Sequence, residues 1–177
     1  MKRAWITFAL AATIWAASTE KPHIKRAAIV AMEKSFDQRI TRLADDPYLL
    51  VGFTRGVYLE GYGAVFTAEV SLANGPSLSP FRPNITKEDI ARIRAKKLER
   101  LPVLRQSMRD MLLAAAASLD EVPPSEQIVV GVSLLYRPEE DSSGMPGQIL
   151  MQGAKGKLLD AKLGRTPLGG VVKVQEF

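Results

Sequence analysis

Residues 56–72, GVYLEGYGAVFTAEVSL, decide the fold. On the second limb Ala64, Phe66, Ala68, Val70 and Leu72 alternate with Val65, Thr67, Glu69 and Ser71, the two-residue period of a half-buried strand. On the first limb Val57 and Leu59 alternate with Tyr58 and Glu60. With Gly61-Tyr62 as a two-residue turn of type II′, Leu59 pairs with Ala64 and Val57 with Phe66. Both limbs then turn their apolar sets to one face. A single strand bulged at Gly61 or Gly63 satisfies the same parity. The hairpin reading puts Tyr58, Glu60 and Glu69 on the outer, solvated face.

Outward from this hairpin the period changes to that of helices. Upstream, Ala28, Met32, Phe36, Ile40 and Leu43 recur at three- and four-residue steps, predicting an amphipathic helix over residues 24–44 that Asp45-Asp46-Pro47 stops. Downstream, residues 74–83 hold four Gly or Pro positions and form a loop. Thr86 reads as an N-cap with Asp89 three residues on. A stripe of Ile90, Ile93, Leu101, Leu104, Met108, Met111 and Ala115 follows. As one helix to Leu119 it would be roughly 50 Å long, more than the ~40 Å diameter of a globule this size. Pro102 is therefore expected to kink or break it. Residues 127–136 are apolar on both faces, as a central strand requires. A polar loop over 139–147, a strand over 148–152, a short helix over 156–163 and a strand over 170–175 complete the chain. The expected architecture is α+β: a single two-layer domain, its sheet mostly antiparallel, with helices packed on one face.

The N-terminus predicts an address. Lys2 and Arg3 precede an uncharged, mostly apolar run over residues 4–17, and Ala16-Ala17-Ser18 supplies small residues for a signal peptidase. The run is shorter than the ~20 residues a membrane span needs. Residues 1–18 are thus expected to be a cleavable signal peptide and 19–177 a single domain, periplasmic or extracellular after cleavage near Ser18. Loss of Lys2 and Arg3 lowers the net charge from +5 to +3. The chain has no cysteine, which removes thiol chemistry and thiolate metal sites.

The inventory for catalysis is thin. His23 is the sole histidine and precedes the first helix, so histidine triads and histidine-rich metal sites are excluded by count. No serine sits in a G-x-S-x-G elbow. Residues 147–157 contain Gly153, Lys155, Gly156 and Lys157, but Leu158 stands where a phosphate loop needs a hydroxyl. Glu60 and Glu69 lie about 20 Å apart along the hairpin, against the ~5–10 Å of a glycosidase pair. The acidic runs at 45–46 and 139–141 match no EF-hand loop. No catalytic residue, metal or cofactor is assigned.

Charge placement is the surface feature that stands out. Between Arg82 and Arg109 nine basic residues face three acidic ones, whereas from Asp120 to Asp141 six acidic residues face Arg137 alone. A basic helical face carrying Arg92, Arg94, Lys96 and Lys97 points to an acidic protein partner or an anionic envelope component. The segment has no aromatic on which bases stack, which disfavours nucleic acid. With Tyr58 and Glu60 on the sheet, these four basic residues form the candidate binding set. The stripe through Ile90, Ile93, Leu101, Leu104, Met108 and Met111 is a candidate homodimer seam. The function expected is an exported, non-enzymatic binding or interaction module of the bacterial cell envelope. The alternatives are a secreted hydrolase built from carboxylates with Lys or Tyr, centred on Glu60, Glu69 and Tyr58, and a carrier of a small apolar ligand lined by Met108 and Met111.

Overall fold

A computed structural model describes residues 24–43, 49–75 and 84–177. The expected signal segment, His23 and Asp45-Asp46-Pro47 lie outside the described residues. Within them the chain is α+β, with three α-helices and a mixed sheet of six strands. Helix α1 (Arg26–Thr41) leads into β1 (Leu49–Leu50), β2 (Arg55–Leu59) and β3 (Gly63–Ser71). The long helix α2 (Lys87–Ser118) crosses to β4 (Gln127–Leu134) and β5 (Gln148–Ala154). Helix α3 (Lys155–Lys162) and a 3-10 turn (Leu168–Gly170) precede β6 (Lys173–Glu176). The order is β1-β3-β4-β5-β6, with β2 beside β1 on the same edge of β3. Four pairings are antiparallel; β3 and β4, joined through α2, are parallel.

The hairpin forms, but in a register one residue from the expected one. Leu59 pairs with Gly63, Tyr58 with Ala64 and Gly56 with Phe66. The turn spans three residues rather than two: Tyr62 N donates to Leu59 O at 3.0 Å, and Gly61 takes φ +78° at the third position of the turn. That is the positive φ a type II turn demands, not the first-position glycine of type II′. A one-residue shift sends every side chain of β2 to the other face. Tyr58 accordingly points to the core side, while Val57 and Leu59 face outward. Gly56 explains the choice. A Cβ there would meet Ile29 Cγ2 at 2.6 Å and the Phe66 ring at 2.7 Å, so the missing side chain is what lets α1 and Phe66 pack over β2.

One face of the sheet belongs to the core. Ala64, Phe66 and Val70 of β3, Ile128, Val130, Val132 and Leu134 of β4, and Ile149 and Met151 of β5 pack with Ile29, Phe36 and Ile40 of α1, Leu104, Met108 and Met111 of α2, and Leu158 of α3. Phe36 and Phe66 meet edge to face at 5.0 Å. At α2 the Thr86–Asp89 capping box forms in both directions.

Pro102 does not break α2, which runs helical from Lys87 to Ser118. Pro102, Leu98 and Val103 are exposed, so the Leu98 carbonyl that loses its donor lies on the solvent side of the helix, where the lost bond costs least. Beyond β5 there is no phosphate-type loop at all, since Ala154 runs directly into Lys155. Gly153 and Gly156 serve close packing instead: a Cβ would sit 3.1 Å from Leu158 and 3.2 Å from Pro124 O respectively.

Candidate interaction surface

The basic face of α2 is largely engaged by the chain itself. Arg92 pairs with Asp89 of its own first turn at 2.8 Å. Arg94 donates to Asp141 O at 2.9 Å and Ser143 O at 2.8 Å and pairs with the Asp141 carboxylate at 3.2 Å. Lys97 is 1% exposed; its ammonium donates to Leu135 O at 3.1 Å, bonds the buried Glu140 carboxylate and stands 4.7 Å from the centre of the Tyr136 ring. Burial and the Glu140 charge push the Tyr136 hydroxyl pKa up, and that hydroxyl donates to Pro146 O at 2.8 Å. Lys96, on the same helix, is half-buried. The basic and acidic segments legible in the sequence therefore meet each other. The β4–β5 loop is pinned to α2.

The apolar stripe of α2 likewise serves the interior. Leu101, Leu104, Met108 and Met111 belong to the central core and Ile93 is buried, with Ile90 partly so. They are thus covered by the chain's own sheet. The gap beneath Met111, bounded by Phe36, Ile40, Phe66 and Val130, is too small to hold a water molecule.

Tyr58 and Glu60 flank a buried carboxylate that sequence reasoning missed. Glu126 Oε1 accepts from the Tyr58 hydroxyl at 3.1 Å and from Gly61 N at 3.2 Å, while its Oε2 is buried without a hydrogen-bond partner. Burial and this bond to Glu126 raise the Tyr58 pKa. Glu60 sits in the exposed turn beside them, whereas Glu69 lies at the far end of β3 and is not brought to this cluster.

The opposite sheet face contributes nothing to the core cluster. Registers place Arg55, Val57 and Leu59 of β2 beside Val65, Thr67 and Glu69 of β3, then Val129, Gly131 and Ser133 of β4, and Gln148, Leu150 and Gln152 of β5. Val57 and Leu59 are 49% and 47% exposed. The row continues upstream through the exposed Leu49, which pairs with Ser71. Between Val51, whose N–H donates to Glu69 O, and Arg55, which pairs with Thr67, the edge strand carries two extra residues. Gly52 absorbs this bulge with φ +88°, and Phe53 emerges 74% exposed. Phe53, Arg55, Thr67, Glu69 and Ser133 line a shallow groove on this face. The signal for the surface was in the sequence: Leu49, Val51, Phe53, Val57 and Leu59 share one parity. Only the register shows which side of the sheet they take.

The edge beside this row is closed. Thr54 donates from its N–H (2.8 Å) and hydroxyl (2.5 Å) to Asp37 Oδ1, and Gly56 N donates to Glu33 Oε1 at 2.8 Å. Arg26 donates to Gly56 O at 2.8 Å. Side chains of helix α1 thus occupy backbone groups of Thr54 and Gly56 that an incoming strand would need.

Among the described residues no group of three or more acidic, histidine or cysteine side chains is placed to hold a metal ion, and no helix is long and apolar enough to cross a membrane. No protein-family model, curated protein or solved structure matches the chain.

Proposed function

We propose that this chain is an exported, non-enzymatic interaction module of the bacterial cell envelope, a single two-layer domain whose helices pack on one sheet face so that the other meets a protein partner. The observation that carries the reading is the exposed row of Leu49, Phe53, Val57 and Leu59 at the edge of a face that has no residue in the central core cluster, although Val129 at its middle is buried. The row is interrupted only by Arg55, and an exposed apolar patch bordered by polar groups is the composition of a contact surface. Phe53 has the character of an anchor, a large ring presented by a bulge whose next residue, Thr54, is buried and held by Asp37. The basic N-terminal pair, the apolar run over 4–17 and Ala16-Ala17-Ser18 support export with cleavage near Ser18. The basic helix is the weaker candidate, because Arg94 and Lys97 are committed to the β4–β5 loop.

In-cell photocrosslinking tests this. A photoreactive residue replacing Val57 is expected to give a discrete protein adduct in the periplasmic or secreted fraction, and the same residue replacing Val103, exposed on α2, is expected to give none. Absence of an adduct from Val57, or recovery of the chain from the cytoplasm alone, overturns the proposal.

A further inference from the structure

We infer that the partner on the open face is a second copy of this chain, the two sheets packing face to face about a two-fold axis. This rests on the reading of that face as a contact surface and adds who occupies it. Arg55 and Glu69 carry the inference. They flank one groove on the same face, and among the described residues neither side chain has a hydrogen-bond or ion-pair partner. Arg55 stands opposite Thr67, one same-face position from Glu69. A two-fold axis between them sets each Arg55 against the other copy's Glu69, so both unpaired charges are satisfied at once. Such reciprocity is what an isologous interface requires.

The surroundings agree. Beyond this pair the face is made of valine, leucine, glycine, serine, threonine and glutamine through β5, with Lys173 of β6 its one further charge. Two copies meet there with little of the repulsion their remaining surfaces would impose. Strand addition at the β2 edge is blocked by Glu33, Asp37 and Arg26, which leaves the face as the route of association on that side. The area suffices without excess. The six strands, between two and nine residues long at ~3.3 Å per residue and ~4.8 Å apart, give about 550 Å² per copy, about 1,100 Å² for the pair, just above the ~1,000 Å² a specific complex needs. A dimer dissociating in the micromolar range is expected.

Sedimentation velocity of the purified chain from about 1 to 200 µM reads this directly. The expected result is a monomer–dimer equilibrium that Arg55→Glu or Glu69→Arg weakens about tenfold or more, while the double exchange R55E/E69R recovers most of the loss. Circular dichroism melting of each variant serves as the folding control. A monomer across the whole range, or a double exchange no better than either single change, overturns the inference. A monomer whose Val57 position still crosslinks a different protein refutes the second copy and leaves the contact surface standing. A monomer that crosslinks nothing refutes both.

Discussion

Gly56 shows how much of this molecule turns on one absent side chain. The sequence pattern pointed to one hairpin register, and the one adopted, a residue away, places Gly56 beneath Ile29 and Phe66, where a Cβ has no room. Gly56→Ala is therefore expected to destabilise the fold by about 1–3 kcal/mol through overpacking, read as a lower urea midpoint, and in a double-mutant cycle with Ile29→Ala the combined loss is expected to be less than the sum of the two. Tyr58 and Glu126 follow from the same register, because only with Tyr58 on the core side can its hydroxyl reach Glu126. Tyr58→Phe leaves a buried carboxylate with one donor fewer, and a loss of about 1–2 kcal/mol in urea denaturation is expected. The alternation of residues 57–72 was legible in the sequence, and so was the existence of the hairpin. Its register was not, since the deciding contact comes from Ile29, far away along the chain.

At the scale of elements, α2 and the β4–β5 loop form one electrostatic unit. Lys97 and Glu140 are both buried, and the pair lies between the helix and the loop that Tyr136 and Arg94 also hold. Lys97→Met is expected to cost about 3–5 kcal/mol because it strands a buried carboxylate, whereas Lys97→Met with Glu140→Leu should regain most of it. A double-mutant cycle in urea measures the coupling. Strand β6 is tied to α2 by the Arg105–Glu176 fork at 2.7 and 2.8 Å. Its bond from Arg105 holds the Glu176 carboxyl below the usual carboxylate range. A depressed folded value contributes stability that is present above the unfolded value, ~4.3, and is lost as pH falls through the folded one. Amide exchange in β6 is accordingly expected to accelerate as pH drops below about 4, after correction for intrinsic rates, and Glu176→Gln should abolish the acid dependence. The charge segments themselves were plain in the sequence. That they neutralise one another was hidden, because Lys97 and Glu140 are brought together only by the path of the chain through β4.

For the whole molecule the consequence is a sheet with one face in the core cluster and the other outside it. Leu49 and Leu59 support no core contact, so Leu49→Lys with Leu59→Lys is expected to leave the melting temperature nearly unchanged while abolishing both the photocrosslink from position 57 and self-association. The sequence by itself determined the element order apart from the short β1 and the 3-10 turn, the periods of 3.6 and 2, the Thr86 capping box and the two-faced apolar character of β4. Each of these depends on residues close together in the chain. Only the tertiary structure decided which face of β2 is wet, that the α2 stripe is core rather than seam, that Pro102 is tolerated in an unbroken helix, and that the basic helix meets the chain's own acidic loop. Those outcomes depend on space and charge shared between distant segments: the volume missing at Gly56, the solvent beside Leu98 and the buried partner waiting for Lys97.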